Sequence, residues 1–402
     1  MKPTGPIPPE FATPGRLSIA GREAEDWTAE YGTPAFVYDL AIVEARIATL
    51  RAALPSAVEI HFAIKANPFP PLLAAVAPLV GGLDVASGGE LAKALAVKAA
   101  EHISFAGPGK RDGELEAAIR VGATVNLESE GEATRALAIG ERSGITPRLA
   151  VRVNPSFELK GSGMKMGGRP SPFGVDAVRV PALVRRLIDA GVDWRGFHIF
   201  AGSQSLDTAA IIETQAATVA LAAQLAEQAG AEPPLVNLGG GLGVPYFAND
   251  TPVDVAAIGA ALGKVVRPGT AYAIELGRWL VAESGVYLTR VIDRKESGGE
   301  TFLVVDGGLN HQLAATGNFG TVVRRNYPVA LARAVGGEAS ETVSIVGPLC
   351  TPLDRLADRI AFPPAQVGDL VAIFLAGAYG ATASPAAFLG HPAAREVVAG
   401  GT

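Results

Sequence analysis

The chain has 402 residues, 49% of them hydrophobic and 18% charged, with a formal net charge of −6. That length suits about two domains with sizeable cores, and the composition excludes a disordered or fibrous chain. The acidic balance argues against nucleic acid as the main partner, although a local site can still hold a small anion. Residues Met1 to Pro9 are proline-rich without the apolar core of a secretory signal, and no run of about 18 purely apolar residues suggests a membrane span. Cys350 is the only cysteine, so no intrachain disulfide can form. A soluble, cytoplasmic protein from a reducing compartment is expected.

Ahead of the main body, Leu17-Ser18-Ile19 and Phe36-Val37-Tyr38 are candidate strands. Asp39 suits the N-cap of a helix whose Val43, Ile47 and Leu50 share one face. From Val58 to Lys65 the pattern alternates strictly. Val58, Ile60, Phe62 and Ile64 take one face of a strand, and His61, Ala63 and Lys65 the other, before an Asn67-Pro68 stop. Further strands are expected at 82–86, 102–107, 123–128, 148–154, 195–201, 234–239 and 270–275, with Ala- and Leu-rich helices between them. Eight strands alternating with helices predict a closed parallel (β/α)8 barrel over residues 39–276, with an open doubly wound sheet as the alternative. The Gly- and Pro-rich loop 161–170 interrupts this spacing as a lid or a surface insertion. From 277 to 402 the rhythm becomes β-rich, with Val286–Ile292, Thr301–Val305, Thr342–Val346 and Asp369–Phe374 as strands. This predicts a C-terminal β domain, to which residues 1–38 contribute.

Lys65 is either a solvated strand end or a buried amine at the carboxyl end of a barrel strand, where barrel enzymes place their chemistry and where a Schiff base can form. The same parity that places Lys65 collects Asp84, Asn126, Arg152 with Asn154, His198 and Glu275 from the other strands. Polar residues delivered strand after strand to one side point to a site rather than to separately satisfied core groups. Three features suit a phosphate. Gly239-Gly240-Gly241 offers backbone amides, Gly202-Ser203 adds a hydroxyl, and Gly277-Arg278 adds a guanidinium. The spacing matches neither the dinucleotide nor the P-loop pattern, and no metal is called for. A lysine, a phosphate cradle and an acid at Glu275 together fit pyridoxal 5'-phosphate: the amine holds its aldehyde and the carboxylate keeps its ring nitrogen protonated. His198 either covers the ring face or packs as a core histidine.

In this order the motifs resemble the fold-type III pyridoxal phosphate decarboxylases, the diaminopimelate, ornithine and arginine decarboxylase family. The carriers are His61-Phe62-Ala63-Ile64-Lys65-Ala66-Asn67, Asp84-Val85-Ala86-Ser87-Gly88-Gly89-Glu90, Arg152-Val153-Asn154-Pro155 and His198-Ile199-Phe200-Ala201-Gly202-Ser203. They continue with Asn237-Leu238-Gly239-Gly240-Gly241, Glu275-Leu276-Gly277-Arg278, Gly347-Pro348-Leu349-Cys350 and Gly377-Ala378-Tyr379-Gly380. The resemblance implies that Lys65 carries the cofactor, that Asp84 and Arg152 lie near it, and that His198 stacks on the ring. By the same resemblance Ser203, Gly240, Gly241, Gly277, Arg278 and Tyr379 hold the phosphate region, and Glu275 pairs with the ring nitrogen. Cys350, which alone reads as a small buried hydrophobe, becomes the acid that reprotonates the substrate carbon, reaching the site from a partner subunit. A homodimer with shared sites is thus implied.

Departures from the family pattern concern the substrate. Familiar members place an acid directly after the cysteine to receive a distal ammonium, and here Thr351-Pro352-Leu353-Asp354 follows. Arg324-Arg325-Asn326-Tyr327 replaces the usual substrate-binding pattern and is either a carboxylate or phosphate grip or an exposed basic pair. Candidate substrate residues are therefore Arg278, Arg324, Arg325, Tyr327, Thr351 and Asp354. These departures resemble the secondary-metabolism and exopolysaccharide-associated decarboxylases, including those acting on carrier-tethered amino acids. The expected activity is α-decarboxylation of a free or tethered amino acid. Alternatives are a meso-diaminopimelate decarboxylase of lysine biosynthesis, an amino-acid racemase of the same fold, and a non-catalytic pyridoxal phosphate-binding protein.

Overall fold

The eight expected strands form and close into a ring in the computed structural model, which describes residues 1–161, 164–165, 168, 170–317 and 325–400, with only the backbone of 164–165. They span Val58–Ala63, Gly82–Val85, Ile103–Phe105, Thr124–Leu127, Arg148–Asn154, Asp193–Ile199, Leu235–Asn237 and Ala271–Leu276. Each pairs in parallel with the next, and the eighth pairs with the first. A closed barrel therefore replaces the open-sheet alternative, because a doubly wound sheet would leave two edges. The apolar face of the first strand packs as its alternation requires, with Val58, Ile60, Phe62 and Ile64 all buried. The strand ends two residues earlier than expected, at Ala63. Residues Ile64–Ala66 form a 3₁₀ turn closed by the amide of Asn67 on the carbonyl of Ile64, and this lifts Lys65 off the ladder.

Local chemistry starts the helices. Ser87, Ser129, Asp207 and Asp254 each accept an amide three residues on, from Glu90, Glu132, Ala210 and Ala257. Each such cap is worth about 1 kcal/mol. Asp39 caps Leu40–Ala53 through the amide of Ala41 at 3.0 Å, and Val43, Ile47 and Leu50 are buried as predicted. The helix Thr208–Ala229 is long and apolar enough to cross a bilayer, with 44% of its most apolar window buried inside the protein. Its position as the crossover between the sixth and seventh strands accounts for that apolarity.

The chain divides into two compact units. One comprises residues 47–243 and 253–277 and holds the barrel; the other comprises 1–46, 244–252 and 278–402. The second unit thus takes in more of the amino terminus than residues 1–38, together with a short stretch, 244–252, that strand periodicity does not reveal. Its main sheet runs Val329–Leu331, Leu370–Ile373, Gly285–Ser297, Glu300–Val305, Glu341–Val346, Arg355–Phe362, and Ala35–Asp39 joins it between Gly285–Ser297 and Arg395–Ala399. The other expected amino-terminal strand does not join: Ser18–Ile19 pairs only with Arg22–Glu23.

Candidate active site

Three side chains meet in the barrel unit, two from strands and one from the turn that follows the first strand. Glu275, near the end of the eighth strand, lies with Oε1 3.9 Å from Lys65 Nζ and with Oε2 2.8 Å from His198 Nε2. His198 and Glu275 are buried, whereas the Lys65 side chain is 47% exposed and open to a reactant. Burial alone would raise the Glu275 carboxyl, but His198, Lys65 and Arg152 override it and hold the group down at about 2. A fixed anion of this kind is what a protonated ring nitrogen requires. Phe200, which parity reasoning did not select, places its ring 5.6 Å from Lys65 Nζ.

The glycines and serine that the sequence offers to a phosphate lie on the same unit. Gly240 lies so close to the eighth strand that a Cβ there would meet the Glu275 carbonyl oxygen at 2.4 Å, and Gly241 adopts φ +119°. Only glycine satisfies both demands. The Gly241 carbonyl accepts the Ser205 amide, which ties this loop to the Gly202-Ser203 segment. Among the described residues, Ser203 Oγ is buried without a hydrogen-bond partner, as is His198 Nδ1. An orphaned hydroxyl beside a glycine-rich turn fits a phosphate oxygen, so the residues present suit pyridoxal phosphate. Gly277 has a packing role here, because a Cβ on it would strike Ala63 O and Ala66 Cβ at 2.9 Å, next to the Lys65 turn.

Arg152 and Asp84 are both buried in the barrel unit, and Arg152 has partners that the sequence reading did not select. Arg152 Nη1 pairs with Glu128 Oε1 at 2.7 Å, with both side chains buried, and its guanidinium lies 5.0 Å from the Phe173 ring centre. Glu128 also accepts the amides of Gly107 and Gly174. Next to it, buried Lys110 donates to the carbonyls of Gly107 and Asn126 and pairs with Glu132 at 3.2 Å. Glu128 continues the period-two register of Asn126, and this was the available signal for it. Asn126 itself lines a cavity at the amino-terminal end of the barrel, with Ser104 accepting from its amide. Removing Glu128 leaves Arg152 as an uncompensated buried charge, so Glu128→Ala is expected to lose about 3–5 kcal/mol in urea unfolding. A loss below about 1 kcal/mol would show that the pair is effectively solvated.

In the second unit Arg278, Tyr327, Tyr379 and Arg325 cluster about Tyr246 and Phe247, which sequence reasoning missed. Arg278 Nη1 donates to the Tyr246 hydroxyl at 3.0 Å and lies 4.6 Å from the Tyr379 ring centre. The Tyr246 ring packs on Tyr327 at 4.7 Å, and Arg325 sits 3.6 Å over Phe247. Arg325 is exposed, and its guanidinium stacks on an aromatic face. Arg324 lies outside the described residues. Cys350 is exposed, which sets aside the reading of a small buried hydrophobe. The expectation for Asp354 is also revised: it is buried, with Oδ1 accepting the Leu309 amide at 2.6 Å and Oδ2 the Leu349 amide at 2.8 Å. Both of its oxygens are thus engaged by backbone amides that shape the Cys350 loop. Thr351, at the position of the missing acid, turns its hydroxyl to the Leu353 amide at 3.3 Å.

Comparison with known proteins agrees with this chemistry. Residues 40–289 match the family model described as pyridoxal-dependent decarboxylase, pyridoxal binding domain. L-glutamyl-[BtrI acyl-carrier protein] decarboxylase of Niallia circulans is 37% identical over 95% of this chain and 92% of its own length. Diaminopimelate decarboxylase of Aquifex aeolicus is 32% identical over 91% and 86% respectively. The crystal structure of diaminopimelate decarboxylase from Helicobacter pylori complexed with L-lysine superposes with a TM-score of 0.83 at 26% identity, covering 93% of both chains. Since the matched segment takes in every barrel strand and the similarity extends over nearly the whole length of these enzymes, the chain belongs to the pyridoxal-dependent decarboxylase family.

Proposed function

We propose that this enzyme removes the α-carboxyl of an amino acid whose far end is tethered to a carrier protein, with a glutamyl group as the first candidate. The observation that carries this reading is the loop after Cys350. A free diaminopimelate, lysine or ornithine brings a distal ammonium that needs a carboxylate partner. In this loop Thr351 is neutral, and the only acid, Asp354, is occupied by two backbone amides. A substrate with an uncharged, acylated distal end makes no such demand. The Niallia circulans relative, whose name specifies a carrier-bound glutamyl substrate, supports the same direction.

Bound pyridoxal phosphate would supply the electron sink that accepts the pair left behind by departing carbon dioxide. Lys65 Nζ would be its attachment point and would yield that position to the substrate amine. Glu275, held ionised, would keep a proton on the ring nitrogen. His198 would fix the ring's orientation, while Ser203 and the amides of Gly240 and Gly241 would anchor the phosphate. Cys350 would return a proton to the substrate carbon. Its exposure suits service to the site of a second copy, so we include a homodimer in the proposal.

Carbon dioxide release tests the substrate reading, with glutamyl-carrier protein compared against free glutamate, meso-diaminopimelate, lysine, ornithine and arginine. The tethered substrate is expected to exceed each free amino acid in kcat/KM by at least about a hundredfold. Comparable or faster turnover of meso-diaminopimelate would instead make this a diaminopimelate decarboxylase that meets the distal ammonium by other means.

A further inference from the structure

His61 stands in a place that the chemistry above does not use. It points into the barrel below Asp84, 94% buried, with Nδ1 3.5 Å from Asp84 Oδ2 and Nε2 3.6 Å from Glu59 Oε2. Those separations are contacts between facing groups rather than tight hydrogen bonds, and among the described residues neither His61 Nδ1 nor Asp84 Oδ2 has another hydrogen-bond partner. The second strand is built to admit this pair. A Cβ on Gly82 would sit 2.7 Å from two atoms of the imidazole, and one on Gly81 would sit 2.7 Å from Glu59 Oε2. Consecutive glycines thus leave room for two ionisable side chains of the neighbouring strand, with His61 directly in register with Gly82.

Glu59 and His61 line a cavity of about 290 Å³ at the amino-terminal end of the barrel. Charged groups facing it from other elements are Glu101 and His102 ahead of the third strand, Arg148 of the fifth and Arg195 of the sixth. On the other side of His61, Asp84 interacts with Glu275, which is paired in register with His61 across the eighth and first strands. Two buried carboxylates near each other cannot both stay ionised without a cation between or beside them.

We propose that His61 is a positioning residue for the barrel site: seated against Gly82, it holds Asp84 oriented and ionised alongside the second buried carboxylate, Glu275. Burial on its own would lower the imidazole, but Asp84 and Glu59 outweigh it and hold the group up at about 9. Burial and the Glu275 charge push the Asp84 carboxyl upward. Both shifts mean that the pair keeps its shared proton to higher pH. Since the folded value of His61 lies above the unfolded one, its contribution to stability is complete below about pH 6.5 and is lost as pH rises through about 9.

This inference rests on the family assignment rather than on the tethered substrate, and its first test needs neither cofactor nor substrate. In the cofactor-free chain, NMR titration of the His61 ring protons is expected to give a midpoint about 9, falling below about 7 in Asp84→Asn. A wild-type midpoint near the ordinary value of about 6.5, or one indifferent to Asp84→Asn, overturns the proposal. In the loaded enzyme, His61→Asn deprives Asp84 of its cation and makes it protonate more readily. The acid limb of kcat/KM is therefore expected to move up by at least about one pH unit, a tenfold loss on that limb, with cofactor still bound. A purely structural histidine would instead lower activity by the same factor at every pH, and that outcome rejects the positioning role.

Discussion

Lys65→Ala is expected to abolish the visible imine absorbance of the enzyme mixed with pyridoxal phosphate and to lower decarboxylation by at least about a thousandfold. The expectation follows from what surrounds the amine. Lys65 is raised out of the first strand by the Ile64–Ala66 turn, its side chain is 47% exposed, and it faces the ionised carboxylate of Glu275 at 3.9 Å. Substituting a half-exposed side chain away from the packed core changes stability by about 0.5 kcal/mol or less, so the thermal midpoint is expected to stay put. That separates lost chemistry from lost fold. Ser203, Gly240 and Gly241, the proposed phosphate anchors, are untouched in the variant, so non-covalent binding of the cofactor should persist. An unchanged absorbance band in Lys65→Ala would mean that another amine is the attachment point and would sink the assignment.

Much of this site could be read before the structure because a barrel strand is a simple device. Side chains alternate, one parity faces inward, and a residue near the carboxyl end of a strand reaches the mouth. Lys65, His198 and Glu275 follow that rule, and the structure brings these three together. Parity is silent about groups that come from loops and helix starts. Lys110 lies in a turn and Glu132 in the first turn of a helix, so their buried pairing spans 22 residues that no periodicity connects. Tyr246 belongs to a nine-residue excursion out of the barrel sequence, 244–252, and meets Arg278 only through the fold. Motifs can also mislead about their purpose. Ser87-Gly88-Gly89-Glu90, one of the carriers of the family resemblance, works as a helix start: Ser87 Oγ accepts the Glu90 amide, and Glu90 Oε2 accepts that of Ala86. In the β unit, Arg355–Phe362 escaped notice because Arg355, Asp358 and Arg359 break its apolar rhythm. Asp358 is nonetheless buried, paired with Arg355 and Lys2.

Cys350→Ala is expected to slow turnover by about 10²–10⁴-fold, the range for removing a positioned proton donor, while the imine absorbance stays intact. In the proposed reaction the thiol would act after carbon dioxide has left, so cofactor attachment and substrate exchange would not depend on it. The exposure of Cys350 makes a sharper test possible. If each site draws Lys65 from one chain and Cys350 from another, a mixed dimer of Lys65→Ala with Cys350→Ala contains one site lacking both groups and one site lacking neither. Random reassortment makes half of the dimers mixed, so about a quarter of native turnover should return when two nearly inactive preparations are combined. A site built within a single chain predicts no recovery, because each copy then carries its own defect. Failure to recover, with dimers present and subunits shown to exchange, would place Cys350 in the same chain as the Lys65 it serves. Full activity of Cys350→Ala by itself would remove the thiol from the reaction and leave the proton to another group.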